Sequence, residues 1–183
     1  VLEPFFNAGL EGSLYDVAKI TLDDPTHHND IEIVTTELAN KIKNVNTGDL
    51  LLSIRNMHML VILDQTTKQI KWKYSGGFTR QHDPDIMSDG TIVLFNNSRK
   101  NYGFNRPLGS SLTRLDPETN EISIVAPTNE SNRFYTSIFG THQLLSNGNI
   151  LVSEGLAGRV FELDSTGEVV WSFVSKYDDT HAS

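Results

Sequence analysis

Three times along this chain a histidine opens a short strand. A glycine turn follows, then an apolar strand, then a strand that ends in Leu-Asp. The three entries are His28-Asn29-Asp30-Ile31, His82-Asp83-Pro84-Asp85-Ile86 and His142-Gln143-Leu144-Leu145. The turns carry Gly48, Gly90 and Gly148, and the third strands end at Asp64, Asp116 and Asp164, 52 and then 48 residues apart. A period of roughly 50 residues made only of strands and turns fits the blades of a β-propeller, each a four-stranded sheet. The fold expected is therefore all-β, with about three blades in this chain.

Residues 1–25 have no clear period and are expected as an N-terminal segment, the end of a preceding blade being one reading; Leu10 to Leu22 fits a short strand or a ragged helix. The blades are placed at 26–75, 79–127 and 134–175, followed by a tail over 178–183. Between Thr36 and Asn46, Leu38, Ile42 and Val45 recur at spacings of four and three, which predicts a short helical insertion in the first blade. Asn97 to Gly109 is a polar insertion in the second. Asp64 is placed to bond backbone amides of its turn. Trp72 and Trp171 fall at the same place in their blades and are expected to be buried between them. A closed propeller needs four to eight blades. Either the chain is about half of a longer one or a second chain completes the ring. It starts at Val1, as a processed or truncated chain would.

Composition narrows the function. A net charge of −8 with no basic run argues against a nucleic-acid surface. The absence of cysteine excludes disulfides, a thiolate nucleophile and thiolate metal ligands. No stretch approaches the roughly 18 apolar residues of a membrane helix. The phosphate-binding and dinucleotide glycine motifs and Gly-x-Ser-x-Gly are missing. Asp116-Pro117-Glu118-Thr119-Asn120-Glu121 is like a calcium loop only in composition.

The chemistry lies at the blade entries. The first strand of a propeller blade is the innermost and lines the central channel, so His28, His82 and His142 would converge on one channel mouth. Such imidazoles could provide a nucleophile and charge stabilisers, general acids and bases, metal ligands, or bonds between blades. Asp30 and Asp83 would orient imidazoles or cap turns. His27 and His58 fall outside the register and read as surface residues. Arg99 follows the second strand of the His82 blade, and its guanidinium offers a fork for a tetrahedral oxyanion.

At these residues the sequence resembles the arylsulfotransferase family, six-bladed propellers that move sulfuryl groups between phenols without a nucleotide sulfate donor. The matching stretches include His28-Asn29-Asp30-Ile31-Glu32, Gly48 to Asn56, Arg80-Gln81-His82-Asp83-Pro84-Asp85, Gly90 to Asn97, Gly140 to Asn149 and Gly158 to Trp171, within residues 26–177. The resemblance implies that His142 is the nucleophile and carries the group as sulfohistidine. His82 and His28 would be stabilisers, and Arg99 the arginine facing the sulfuryl oxygens. It implies an aryl sulfate donor and a phenol acceptor, no cofactor, and a periplasmic or extracellular setting. Two other readings remain open on the residues alone. One is a non-enzymatic propeller that binds a ligand or partner or builds an extracellular assembly. The other is a metalloenzyme using the three histidines with Asp30 or Asp83.

Overall fold

The computed structural model describes residues 2–13, 24–97 and 109–175. Among them, twelve strands form three four-stranded sheets, each in sequence order. The first holds β1 (His28–Ile33), β2 (Leu50–Ile54), β3 (Met59–Leu63) and β4 (Ile70–Ser75). The second holds β5 (His82–Ile86), β6 (Ile92–Asn96), β7 (Ser111–Asp116) and β8 (Glu121–Ala126). The third holds β9 (Thr141–Leu144), β10 (Ile150–Glu154), β11 (Arg159–Leu163) and β12 (Val169–Val174). All paired strands are antiparallel. The architecture is that of all-β propeller blades. The strand after each glycine turn is the second of its sheet. First strands face one another: β1 packs beside β5, and β5 touches β9.

The repeated residues have repeated physical jobs. Gly48, Gly90 and Gly148 all have left-handed φ, +91°, +75° and +85°. At Gly90 a Cβ would also stand 2.6 Å from the carbonyl oxygen of Glu37, so only glycine fits. The Leu-Asp endings are turn caps. Asp64 Oδ1 accepts from the amides of Thr66 (2.9 Å) and Thr67 (2.7 Å), Asp116 Oδ1 from Glu118 (3.0 Å), and Asp164 Oδ1 from Thr166 (2.8 Å) and Glu168 (3.0 Å). The calcium-like stretch is an ordinary hairpin turn, and its Asp116 pairs with Lys41 at 3.2 Å.

Two apolar layers hold the sheets together. On β6, Ile92 and Leu94 face the first sheet while Val93 and Phe95 face the third, because strand side chains alternate. All are buried on both faces, as a strand enclosed between neighbours must be. Each fully buried side chain of this size contributes about 1.5–3 kcal/mol. The first layer joins Leu51, Leu60 and Ile62 to Ile92, Leu94 and Leu115. The helical insertion is present as α2, Thr36–Lys41, shorter than its periodicity implied. Thr35 caps it through the amide of Leu38, and Ile42 is already extended, yet Leu38, Ile42 and Val45 all enter this layer. The other face of the first sheet packs on α1 (Glu3–Asn7), where Phe5 and Leu10 meet Ile54, Met57, Met59 and Val61.

The tryptophans part company. Trp72 is half-buried against the first layer and stacks on Tyr74. Trp171, expected to be buried, is 50% exposed, because no described element covers that face of the third sheet. Phe173, Val170 and Leu144 are exposed on the same sheet. Among the described residues, no helix is long and apolar enough to cross a membrane.

Candidate functional site

The three register histidines all sit on first strands. His28 and His82 open β1 and β5, and His142 is the second residue of β9. No hydrogen bond or ring contact joins any two of them, and each has its own setting.

His28 is exposed. Its Nδ1 lies 3.3 Å from Thr26 Oγ1 and its ring packs 6.2 Å from that of Phe5. With Pro4, Phe5 and Ile31 it lines a cleft of about 330 Å³ between α1 and the first sheet. Partial desolvation where the ring packs on Phe5, more than the charge of His27, lowers its affinity for a proton, against the pull of Asp24.

His82 is half-buried and its tautomer is fixed by its neighbours. Nδ1 stands 2.6 Å from Asn97 Oδ1 and 3.0 Å from the carbonyl of Arg80, both acceptors, so Nδ1 carries the hydrogen and Nε2 the lone pair. Asn97 cannot be turned over, because its Nδ2 donates to the carbonyls of Thr136 (3.0 Å) and Phe139 (2.6 Å). Burial pushes the His82 pKa below its ordinary value; the Asn97 bond opposes this and the Arg55 charge adds to it. His82 is thus held neutral near pH 7.

His142 is buried, its side chain 3% exposed, between two carboxylates. Nδ1 lies 3.0 Å from Asp83 Oδ2 and Nε2 lies 3.3 Å from Asp85 Oδ2. Asp83 reaches it through a β-bulge after His82 and a left-handed φ of +54°, a conformation aspartate tolerates better than most residues. The same Asp83 oxygen accepts from the Thr141 hydroxyl and the His142 amide, both at 2.6 Å. Asp83 therefore clasps the entry of the third sheet, as Asn29 clasps the second by donating to the Gln81 carbonyl at 2.7 Å. This clasp is the blade-joining role weighed for the register, and it falls to the residues after His28 and His82.

Around His142 the first strands of the first two sheets are acidic. Burial first, then the charges of Asp83 and Glu32, push Asp30 up to about 6. Burial with Asp85 and Asp83 raises Glu32. Burial and Asp83 raise Asp85, against the pull of His142. Asp83 is the exception: burial would raise it, but the nearby His142 ring and the bonds from the Thr141 hydroxyl and the His142 amide hold it below the carboxylate range.

Asp30 gives a pH prediction. Its native carboxyl binds a proton between about pH 4 and pH 6, where the unfolded one has released it, so this group's contribution to stability falls as pH rises through that window. Allowing for the water that still reaches a half-buried carboxyl, Asp30→Asn should raise stability by about 1 kcal/mol at pH 7.5 and much less at pH 4.5. Urea unfolding in chelated buffer at both pH values is the measurement, and an equal change at both would sink the assignment.

Sequence reasoning passed over Asp85 and Arg55. Asp85 was legible as the second acid of Asp83-Pro84-Asp85 on a strand, where i and i+2 share a face. Arg55 follows the first sheet's second strand directly, the neighbourhood in its blade that Arg99 holds in the sequence of the next. Arg99 itself lies outside the described residues, as do most of Leu10–Leu22 and most of the polar insertion. His58, read as a surface residue, is a structural bond: its Nδ1 accepts from the Arg80 amide at 2.9 Å and joins the first sheet to the entry of the second.

Residues 11–176 match the arylsulfotransferase (ASST) family. The chain belongs to that family. No curated protein matches it. Among solved structures, a catalytically inactive variant of virginiamycin B lyase from Staphylococcus aureus with quinupristin is 10% identical, with a TM-score of 0.51 over 87% of this chain and 45% of that one. A protein of unknown function from Bacteroides caccae is 13% identical, with a TM-score of 0.45 over 70% of this chain and 42% of that one. A functionally unknown protein from Desulfotomaculum acetoxidans is 18% identical, with a TM-score of 0.45 over 81% and 42%. The first shares the fold; none speaks to activity. The chain spans less than half the length of each of these structures.

Proposed function

We propose that this chain is part of a propeller that transfers a sulfuryl group from an aryl sulfate to a phenol through His142. The observation that carries the reading is the family match across residues 11–176. In the first step the Nε2 lone pair attacks sulfur, the aryl oxygen–sulfur bond breaks, and the phenolate leaves with the electron pair. In the second, the acceptor phenol passes its proton to the Nε2 lone pair of His82, its oxygen attacks sulfur, and the nitrogen–sulfur bond breaks with its electron pair returning to His142 Nε2. An imidazole nucleophile splits one hard displacement into two. Sulfation at Nε2 puts positive charge on the ring, and Asp83, 3.0 Å from Nδ1, is placed to offset it. Asp85 beside Nε2 must be neutral or turned aside for an anionic ester to approach, and it is the more easily protonated of the two acids. His82 presents the Nε2 lone pair of a neutral ring on the neighbouring first strand; it serves as a stabiliser once it has taken up the acceptor's proton, with His28 and Arg99 as stabilisers matched by motif. Arg55 is a second cation near His82.

The exposed apolar faces of the first and third sheets, with Ile31 and Ile33 on one and Trp171 and Phe173 on the other, are blade-to-blade faces in this reading. Further blades, from the same polypeptide or a second chain, complete a six-bladed ring. The setting is periplasmic or extracellular.

The test is turnover of 4-nitrophenyl sulfate by the full-length protein with and without phenol. Release of 4-nitrophenolate that rises with phenol, and appearance of phenyl sulfate, is expected. No release under either condition would remove the reading.

A further inference from the structure

Beyond that reading, we propose that Asp83, Asp85 and His142 form a binding site for a divalent transition-metal ion of the zinc class, whose occupation and sulfation of His142 exclude each other. Ligand atoms of these three side chains lie within 4.8 Å of one another, close enough to share one ion, and no other such group occurs among the described residues. This corrects the donor set expected from sequence, since His28, His82 and Asp30 stand outside it. The second observation is independent of the acids. His142 Nδ1 is buried without a hydrogen-bond partner: it is 3.0 Å from Asp83 Oδ2 but not aligned on it as a donor. Separations near 3 Å between donor atoms that do not hydrogen-bond to each other are what ligands of one small cation show, each about 2.0–2.2 Å from the ion.

Local structure supports a built site. Asp83 and Asp85 flank Pro84 on β5, and His142 comes from β9, so the ligands sit on two packed strands. Asp83 is already oriented by the Thr141 hydroxyl and the His142 amide, the outer-shell bonding that fixes a ligating carboxylate. Two carboxylates and one imidazole make a mixed oxygen–nitrogen set with positions left open, which suits zinc, cobalt or manganese better than calcium. Asp30 and Glu32 on β1 face the same acids and would add to the attraction for a cation. An ion held at Nδ1 leaves the ring hydrogen on Nε2, which then has no lone pair for sulfur, hence the competition.

The experiment titrates metal-stripped full-length protein with cobalt(II) alone and follows visible absorption, then displaces cobalt with zinc. One equivalent of cobalt, affinity at least about tenfold weaker in both Asp85→Asn and Asp85→Ser, and unchanged affinity in His28→Ala, are expected. Asp85 is preferred to Asp83 because Asp83 also clasps the third sheet. Zinc should lower sulfuryl transfer, and a chelator should restore it. No stoichiometric binding, or binding indifferent to both Asp85 variants, overturns the proposal and leaves an Asp83–His142 contact only. Transfer at full rate with zinc bound overturns the exclusion. A protein that binds cobalt as expected but transfers no sulfuryl group keeps the site and refutes the enzyme.

Discussion

His142→Ala should lower sulfuryl transfer by the full-length protein at least about a thousandfold in kcat, with a small change in KM. The reasoning starts from the ring's surroundings. The group that attacks sulfur must offer a lone pair, and a ring doing so contributes little to holding an anionic ester, so its loss should spare ground-state binding. What is lost is the covalent route, and one step must then cross the barrier that two had shared. His82→Ala should cost less, about tenfold to a hundredfold, because it removes a stabilising group and leaves the nucleophile in place. A merely structural His142 would lower stability and activity together. Three readouts separate the cases: kcat against KM, partial rescue of His142→Ala by added imidazole, and an acid-labile sulfuryl label on the peptide carrying His142. A variant that keeps its rate, or a label that sits on another residue, would end the assignment.

Much of the fold was legible because backbone physics repeats. Each glycine turn needs a left-handed residue, each third strand needs an oxygen to cap its hairpin, and each middle strand must be apolar on both faces. These demands appear as Gly48, Gly90 and Gly148, as Asp64, Asp116 and Asp164, and as runs such as Ile92-Val93-Leu94-Phe95. The histidine register was legible for the same reason, since each marks the entry of a first strand. The environments of the histidines were not. One register position places His28 against Phe5, His82 against Asn97 and His142 between two acids. The first two sheets share the bulge after their histidine, and what differs is the residue it carries, Asn29 in one and a left-handed Asp83 in the other, which turns a carboxylate across to the next sheet; spacing alone does not encode which atom a bulge will aim. Trp171 illustrates a second limit. Its pattern matches that of Trp72, but burial depends on what covers the sheet, and a pattern within one sheet cannot specify its neighbour.

Phe95→Ala should remove about 3–5 kcal/mol of stability, the range for emptying a fully buried phenylalanine site. Phe95 has no exposed surface and packs between Val93, Leu112, Phe134, Val152 and Phe161 in the layer joining the second and third sheets. Its ring is 5.7 Å from that of Phe134, which in turn is 5.3 Å from Phe161, so one deletion breaks an aromatic chain across the interface. The effect should reach the site for two reasons. Phe95 pairs in register with His82, and it is two residues before Asn97, which fixes the His82 ring. The ring also lies against Gly140, where an added Cβ would come within 2.6 Å of it, so it sets the backbone two residues before His142. Loss of the ring should therefore loosen the entries of both β5 and β9. Phe95→Leu, which keeps most of the volume, should cost less than half as much and retain most activity. Urea unfolding of the three proteins measures the first effect, and sulfuryl transfer under conditions where each remains folded measures the second. If Phe95→Ala lost stability without any change in transfer, the packing layer and the histidine entries would be mechanically independent.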